Sequence, residues 1–155
     1  MTLRGGIGLA FIAATMVVVA GCGGESTGDT GGPTPLGTRA AVTQAWLAFF
    51  DGTKPADGKI ALLQNGQAFA SVIQAQGQSL LVKQTKAVVK RVVVIGPRRA
   101  VVTYSILLAG VPALKNHRGI AVKVAGSWRV GEASFCELLA LEGATPPACS
   151  STAHA

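Results

Sequence analysis

The sequence predicts an α+β domain in which N-terminal helices pack on a curved antiparallel sheet of about four strands. Three observations predict it. Apolar residues recur at helical spacing between Val42 and Ile73, and β-branched runs replace them after Leu80. Turn signals at Gly96-Pro97 and Ala125-Gly126 divide the second half into strands. Helices first and strands second is the segregated order of an α+β fold, unlike the alternation that builds a parallel sheet.

Taken in order, Thr38 is placed to cap the first helix. Val42, Ala45, Trp46, Phe49 and Phe50 then fall on one helical face, and Asp51-Gly52 stops the run. Thr53 is a second capping candidate, and Pro55 suits a first turn. Ile60, Leu62 and Leu63 carry a short helix to Asn65-Gly66, a left-handed C-cap signal. Gln67 to Gln76 reads as a third helix with Phe69, Val72 and Ile73 inward. Strands are expected at Lys83–Ile95, Arg99–Leu108, Arg118–Val124 and Ser127–Ala133. Gly110 to His117 reads as a loop or bulge around Pro112. Phe135 to Leu141 reads as a strand extension or one helical turn.

The N-terminus carries a different kind of signal. Residues 1–21 have the order of an export signal: a charge at Arg4, an uncharged apolar run from Ile7 to Ala20, then small residues. The run is shorter than the roughly 20 residues a membrane-crossing helix needs. Val19-Ala20-Gly21-Cys22 resembles a lipobox, so cleavage before Cys22 and lipidation of Cys22 are expected. A diacylglycerol there meets the two-chain requirement for stable anchoring. Residues 22–38 are Gly-, Ser-, Thr- and Pro-rich and form the expected tether, followed by a domain over 39–149 and a short tail, 150–155. The expected location is the outer face of the cytoplasmic membrane, with partial release to the wall or medium.

Two cysteines remain after Cys22. An even pair in an exported domain predicts a disulfide between Cys136 and Cys149. The rival, a metal site using Cys136, Cys149 and His154, lacks a fourth ligand at suitable spacing, so no metal is expected.

The net charge is +7, and its distribution says more than its total. No carboxylate lies between Asp57 and Glu132, while Lys86, Lys90, Arg91, Arg98 and Arg99 cluster around the first strand and its turn. Such a field suits an anionic surface, or simply keeps a chain that is 49% hydrophobic soluble. Nucleic acid is not an expected partner, since the basic strands offer only Tyr104 and Trp128 for stacking and the export signal separates the chain from it.

Catalytic chemistry finds little to use. The first three strands carry no Asp or Glu, and Asp51 and Asp57 are explained by helix ends. Tyr104 and His117 are the remaining proton-transfer candidates; Tyr104 reads as a core residue and His117 as an exposed loop residue. No serine has a His and acid partner, and no Gly-rich phosphate loop lies in the domain. Trp46 and Trp128 also read as core residues, and Trp46, Tyr104 and Trp128 are the candidates for lining a cavity between helices and sheet. No cofactor is expected.

Two stretches carry a family resemblance. One is Ala45-Trp46-Leu47-Ala48-Phe49-Phe50-Asp51-Gly52 continuing through Lys59 to Gly66. The other is Ser127-Trp128-Arg129-Val130 with Ala133 to Gly143, then Pro146-Pro147-Ala148-Cys149. Over these the chain resembles the mycobacterial low-molecular-weight antigen family of actinobacterial secreted proteins and lipoproteins. The resemblance implies a cone-like α+β fold similar to that of nuclear transport factor 2 and the cystatins. It brings no catalytic motif. The expected function is therefore that of a non-enzymatic lipoprotein binding a small apolar ligand or an envelope partner. The alternatives are a cavity enzyme of isomerase or dehydratase type using Tyr104 or His117, and a polyanion-binding module.

Overall fold

The computed structural model describes residues 35–150. The expected signal peptide, Cys22, most of the expected tether, His154 and the residues after Ser150 lie outside the described residues.

Helix α1 runs from Pro35 to Phe49. It starts earlier than the sequence predicts, so Thr38 lies inside it rather than capping it. Val42, Ala45, Trp46 and Phe49 are buried, as their helical spacing requires. Asp51 then accepts hydrogen bonds from the N–H and the hydroxyl of Thr53, closing a tight turn. Thr53 is therefore a donor to the turn, and the extended Pro55 occupies the N-cap of α2, Ala56–Leu62. Helix α2 stops short of Asn65 because Leu63 takes an extended conformation and bridges Val130. Asn65 is left-handed at φ 53°, as expected of an Asn-Gly pair. The expected third helix divides into a 3₁₀ turn, Gly66–Phe69, and α3, Ala70–Gln76. A further short helix, α4, Leu80–Lys83, delays the first strand.

The strands are β1 Thr85–Gly96, β2 Arg99–Leu108, β3 Val111–Val124 and β4 Ser127–Val130, in antiparallel order β1-β2-β3-β4. The segment expected as a loop, Gly110 to His117, mostly belongs to β3. A bulge there sets Lys115 and Asn116 opposite Ser105, whose hydroxyl accepts from the Asn116 N–H at 3.1 Å. The β2–β3 turn is Ala109-Gly110 with both residues at positive φ, the same device as the expected Ala125-Gly126 turn. A second bulge places Lys90 between Val89 and Arg91 with no partner on β2. Helix α5, Glu132–Leu141, replaces the expected end of β4 and runs well beyond one turn; α6, Pro147–Ser150, follows.

One sheet face packs on the helices. Ala100, Val102, Tyr104, Ala121 and Val130 are fully buried there. Helix α1 touches both edge strands, β1 and β4, so the sheet curves around it. Small residues at the sheet centre admit the helix: a β-carbon on Gly119 would lie 2.8 Å from Cη2 of Trp46. Phe49, Phe69 and Phe135 meet edge to face at 5.4–5.5 Å and join α1, the 3₁₀ turn and α5.

Candidate functional site: an apolar cleft beyond the end of the first helix

Helix α1 ends at Phe49, but the sheet continues past it. The strand ends left uncovered form one wall of a cleft of about 330 Å³. Phe49 and Phe50 form its floor at the helix end, with Ile106, Leu108 and Leu114 from the sheet. Leu81 and Val82 of α4 and Leu138 and Leu139 of α5 add to its apolar lining. The volume is at the lower end of the range for small-molecule sites, about 300–1,000 Å³, and such sites pair apolar walls with a few polar groups.

Four polar side chains complete the lining: Lys59, Gln76, Thr85 and Glu142. The amide of Gln76 donates to the Glu142 carboxylate at 3.1 Å, tying α3 to the end of α5. Among the described residues Lys59 is the one cation on the cleft lining. Its half-buried position disfavours the charged ammonium and lowers its pKa, and the charge of Asp51 opposes that shift. Leu81 is 54% exposed and Leu141 64%, so apolar surface stands open at this end of the fold.

The three residues expected to line a cavity do not line this one. Trp46 and Tyr104 are fully buried, and Trp128 is 8% exposed. The sequence placed all three on the inward face, and they do point inward. Neighbouring rings pack the first two: Tyr104 lies 5.0 Å from Trp46 and stacks on Phe50 at 5.5 Å. Burial, with the negative charge of Glu137 adding to it, pushes the Tyr104 hydroxyl well above the ordinary phenol range. His117 packs edge-on against Tyr104, with Nε2 3.6 Å from Glu137 Oε2. His117 also lies outside the cleft and in β3 rather than in an exposed loop.

As cavity candidates, sequence reasoning named none of the residues that line the cleft, Lys59, Leu81, Leu138 and Glu142 among them. One signal was available. Leu80-Leu81 follows Gly77-Gln78-Ser79, and two adjacent leucines in so short a helix cannot both reach one core.

The basic candidates separate by register. Lys86, Lys90, Arg91, Arg98 and Arg99 are all exposed. Lys86, Arg91 and Arg99 project from the sheet face opposite the helices, Lys90 occupies the bulge, and Arg98 lies in the β1–β2 turn. Arg118 and Arg129, from β3 and β4, join the first three on that outer face. Cys136 and Cys149 form a disulfide, Cα–Cα 5.5 Å, tying α5 to α6.

Fold and site define a class: a small α+β domain with helices on one face of a four-stranded antiparallel meander and an apolar cleft at its open end. The chain belongs to the family described as low molecular weight antigen MTB12, C-terminal domain, which matches residues 35–146. This is the family to which the Trp46 and Cys136 stretches pointed. Among solved structures the chain is similar to a domain of unknown function with a cystatin-like fold from Nostoc punctiforme, at 16% identity and a TM-score of 0.39, covering 76% of this chain and 91% of that one. No curated protein matches the chain.

Proposed function

We propose that this is a non-enzymatic binding domain, anchored outside the cytoplasmic membrane through lipid on Cys22, that holds a small single-chain amphiphile in the cleft. The observation that carries the reading is the cleft itself: apolar on its walls, with one ammonium, Lys59, on its lining. An alkyl chain against Phe49, Leu138 and Leu139 would leave contact with water, and an anionic end beside Lys59 would offset the burial of that charge. A non-enzymatic role is supported by the position of Tyr104 and His117, which contribute nothing to the cleft lining.

Displacement of a fluorescent apolar probe by dodecanoate tests the cleft. Leu81→Glu, at a wall position already half open, should abolish displacement with little change in melting temperature. Val111→Glu, more exposed still and outside the cleft, should leave it intact. If neither dodecanoate nor dodecanol displaces the probe, the reading fails. The anchor is tested separately: Cys22→Ala should move the protein out of the membrane fraction.

A further inference from the structure

The outer face of the sheet is the strongest feature that the cleft leaves unexplained. Cross-strand register arranges it in rows. Arg91, Thr103 and Arg118 are neighbours across β1, β2 and β3. The next row is Val93, Val101 and Ile120. Beyond it, Arg99, Val122 and Arg129 are neighbours across β2, β3 and β4. Two rows of guanidinium groups thus flank an apolar row, in a patch of about 10 by 13 Å from strand and residue spacings. Val93, at 36% exposure, and Val88, at 38%, are open to solvent on the same face.

We infer that this face docks on an anionic lipid surface. Charge complementarity carries the inference. No strand contains an Asp or Glu. Among the described residues the one ion pair is His117–Glu137, on the helix side, and none of them offers the outer cations a carboxylate partner. Protection of a sheet edge explains Lys86, Lys90 and Arg91 on the edge strand β1. It does not explain Arg99 and Arg118, which sit on the central strands with no edge to guard. Solubility alone is served as well by mixed charges. The valine and isoleucine row favours a bilayer over a soluble polyanion, because a headgroup layer accepts apolar side chains among its charges. The inference rests on neither the cleft nor the Cys22 lipid.

Sedimentation of the full chain with vesicles tests it, comparing phosphatidylglycerol–phosphatidylcholine mixtures with phosphatidylcholine alone. The uncharged Ile7–Ala20 run contributes to both, so the ratio of the two affinities reads the basic face. Arg91→Gln/Arg99→Gln/Arg118→Gln should lower phosphatidylglycerol-dependent affinity about fivefold per cation, roughly a hundredfold together. It should also flatten the salt dependence. Arg39→Gln/Lys54→Gln/Lys83→Gln, exposed cations of the helical half, should change it little. Equal loss in the two triple variants would make total charge the cause and overturn the inference. So would equal binding to neutral vesicles. Val93→Ser should weaken vesicle binding while leaving polyphosphate binding unchanged; vesicle binding indifferent to Val93, with polyphosphate bound in preference to phosphatidylglycerol, would point to a soluble polyanion and overturn the inference.

Discussion

The hydroxyl of Ser134 accepts a hydrogen bond from the main-chain N–H of Ile120 at 2.7 Å. Strand β4 ends at Val130, and Gly131 donates its N–H to the Ile120 carbonyl before the chain turns into α5. The next ladder position on β3 would leave the Ile120 N–H without a strand partner. Ser134, 4% exposed in the first turn of α5, supplies the acceptor and locks helix to sheet. Ser134→Ala should cost about 1–3 kcal/mol, the penalty for stranding a buried donor. Chemical denaturation measures it, and amide exchange at Ile120 should accelerate in the same variant. Unchanged exchange at Ile120 would show that the contact does not hold the strand end.

Gly119 and Trp46 set a second test whose sign is informative. At a backbone position that alanine can adopt, Gly→Ala stabilises by about 0.4–1 kcal/mol through the unfolded chain. The φ of Gly119 is not positive, but its β-carbon would lie 2.8 Å from the Trp46 ring and 3.2 Å from the Ser134 hydroxyl. Overpacking should win, so Gly119→Ala should destabilise by about 1–3 kcal/mol. A higher melting temperature would mean that the indole can move aside freely.

The Cys136–Cys149 disulfide spans a sequence separation of 13. On the chain-entropy relation a loop of that length stabilises by about 3 kcal/mol. Cys136→Ser/Cys149→Ser should lose about that much, and reductant should lower the wild-type stability to the same level. The double variant itself should be indifferent to reductant. The comparison is made by urea denaturation with and without dithiothreitol.

Lys59 gives the cleft a pH signature. Its folded pKa is depressed, chiefly by burial, so the unfolded chain binds more protons in the window below 10.5. Stability contributed at this site should rise as pH climbs through that window, and Lys59→Met should remove the rise. Ligand binding should show the opposite slope: dodecanoate affinity should fall as the ammonium deprotonates, whereas dodecanol affinity stays level. Each methylene added to the alkyl chain should tighten binding about fourfold, from roughly 0.8 kcal/mol per buried CH₂, until the cleft is full. Calorimetric titration across pH and chain length checks all three.

Much of the fold was legible because local signals and tertiary packing agree. The Val42–Phe49 spacing specifies a buried helix face, the Val-rich runs specify strands, and Asn65 and Ala125-Gly126 announce their own backbone conformations. Legibility ended where a partner segment outweighed local preference. Gly110 to His117 reads as loop, yet β2 offers Val111, Pro112, Leu114 and His117 ladder partners, and the Ser105 hydroxyl accepts the Asn116 amide at the bulge. Glu132 to Leu141 has apolar residues that suit strand or helix, and the choice falls to helix where Gly131 and Ser134 complete the hydrogen bonds of Ile120.

The same division holds for the candidate sites. The sequence by itself determined that Trp46, Tyr104 and Trp128 face inward, and that the strands carry cations without acids. Whether an inward face is filled or left hollow depends on what packs opposite, so the cleft at Phe49 appears only once α1 is seen to stop short of the strand ends. The outer face needed register as well. Counting by twos from the buried Ala87 would turn Arg91 inward with Val89. The extra residue at Lys90 reverses the alternation, sending Arg91 out to meet Thr103 and Val92 in to meet Val102. One inserted residue flips every side chain after it, and only the pairing of β1 with β2 shows where that insertion lies.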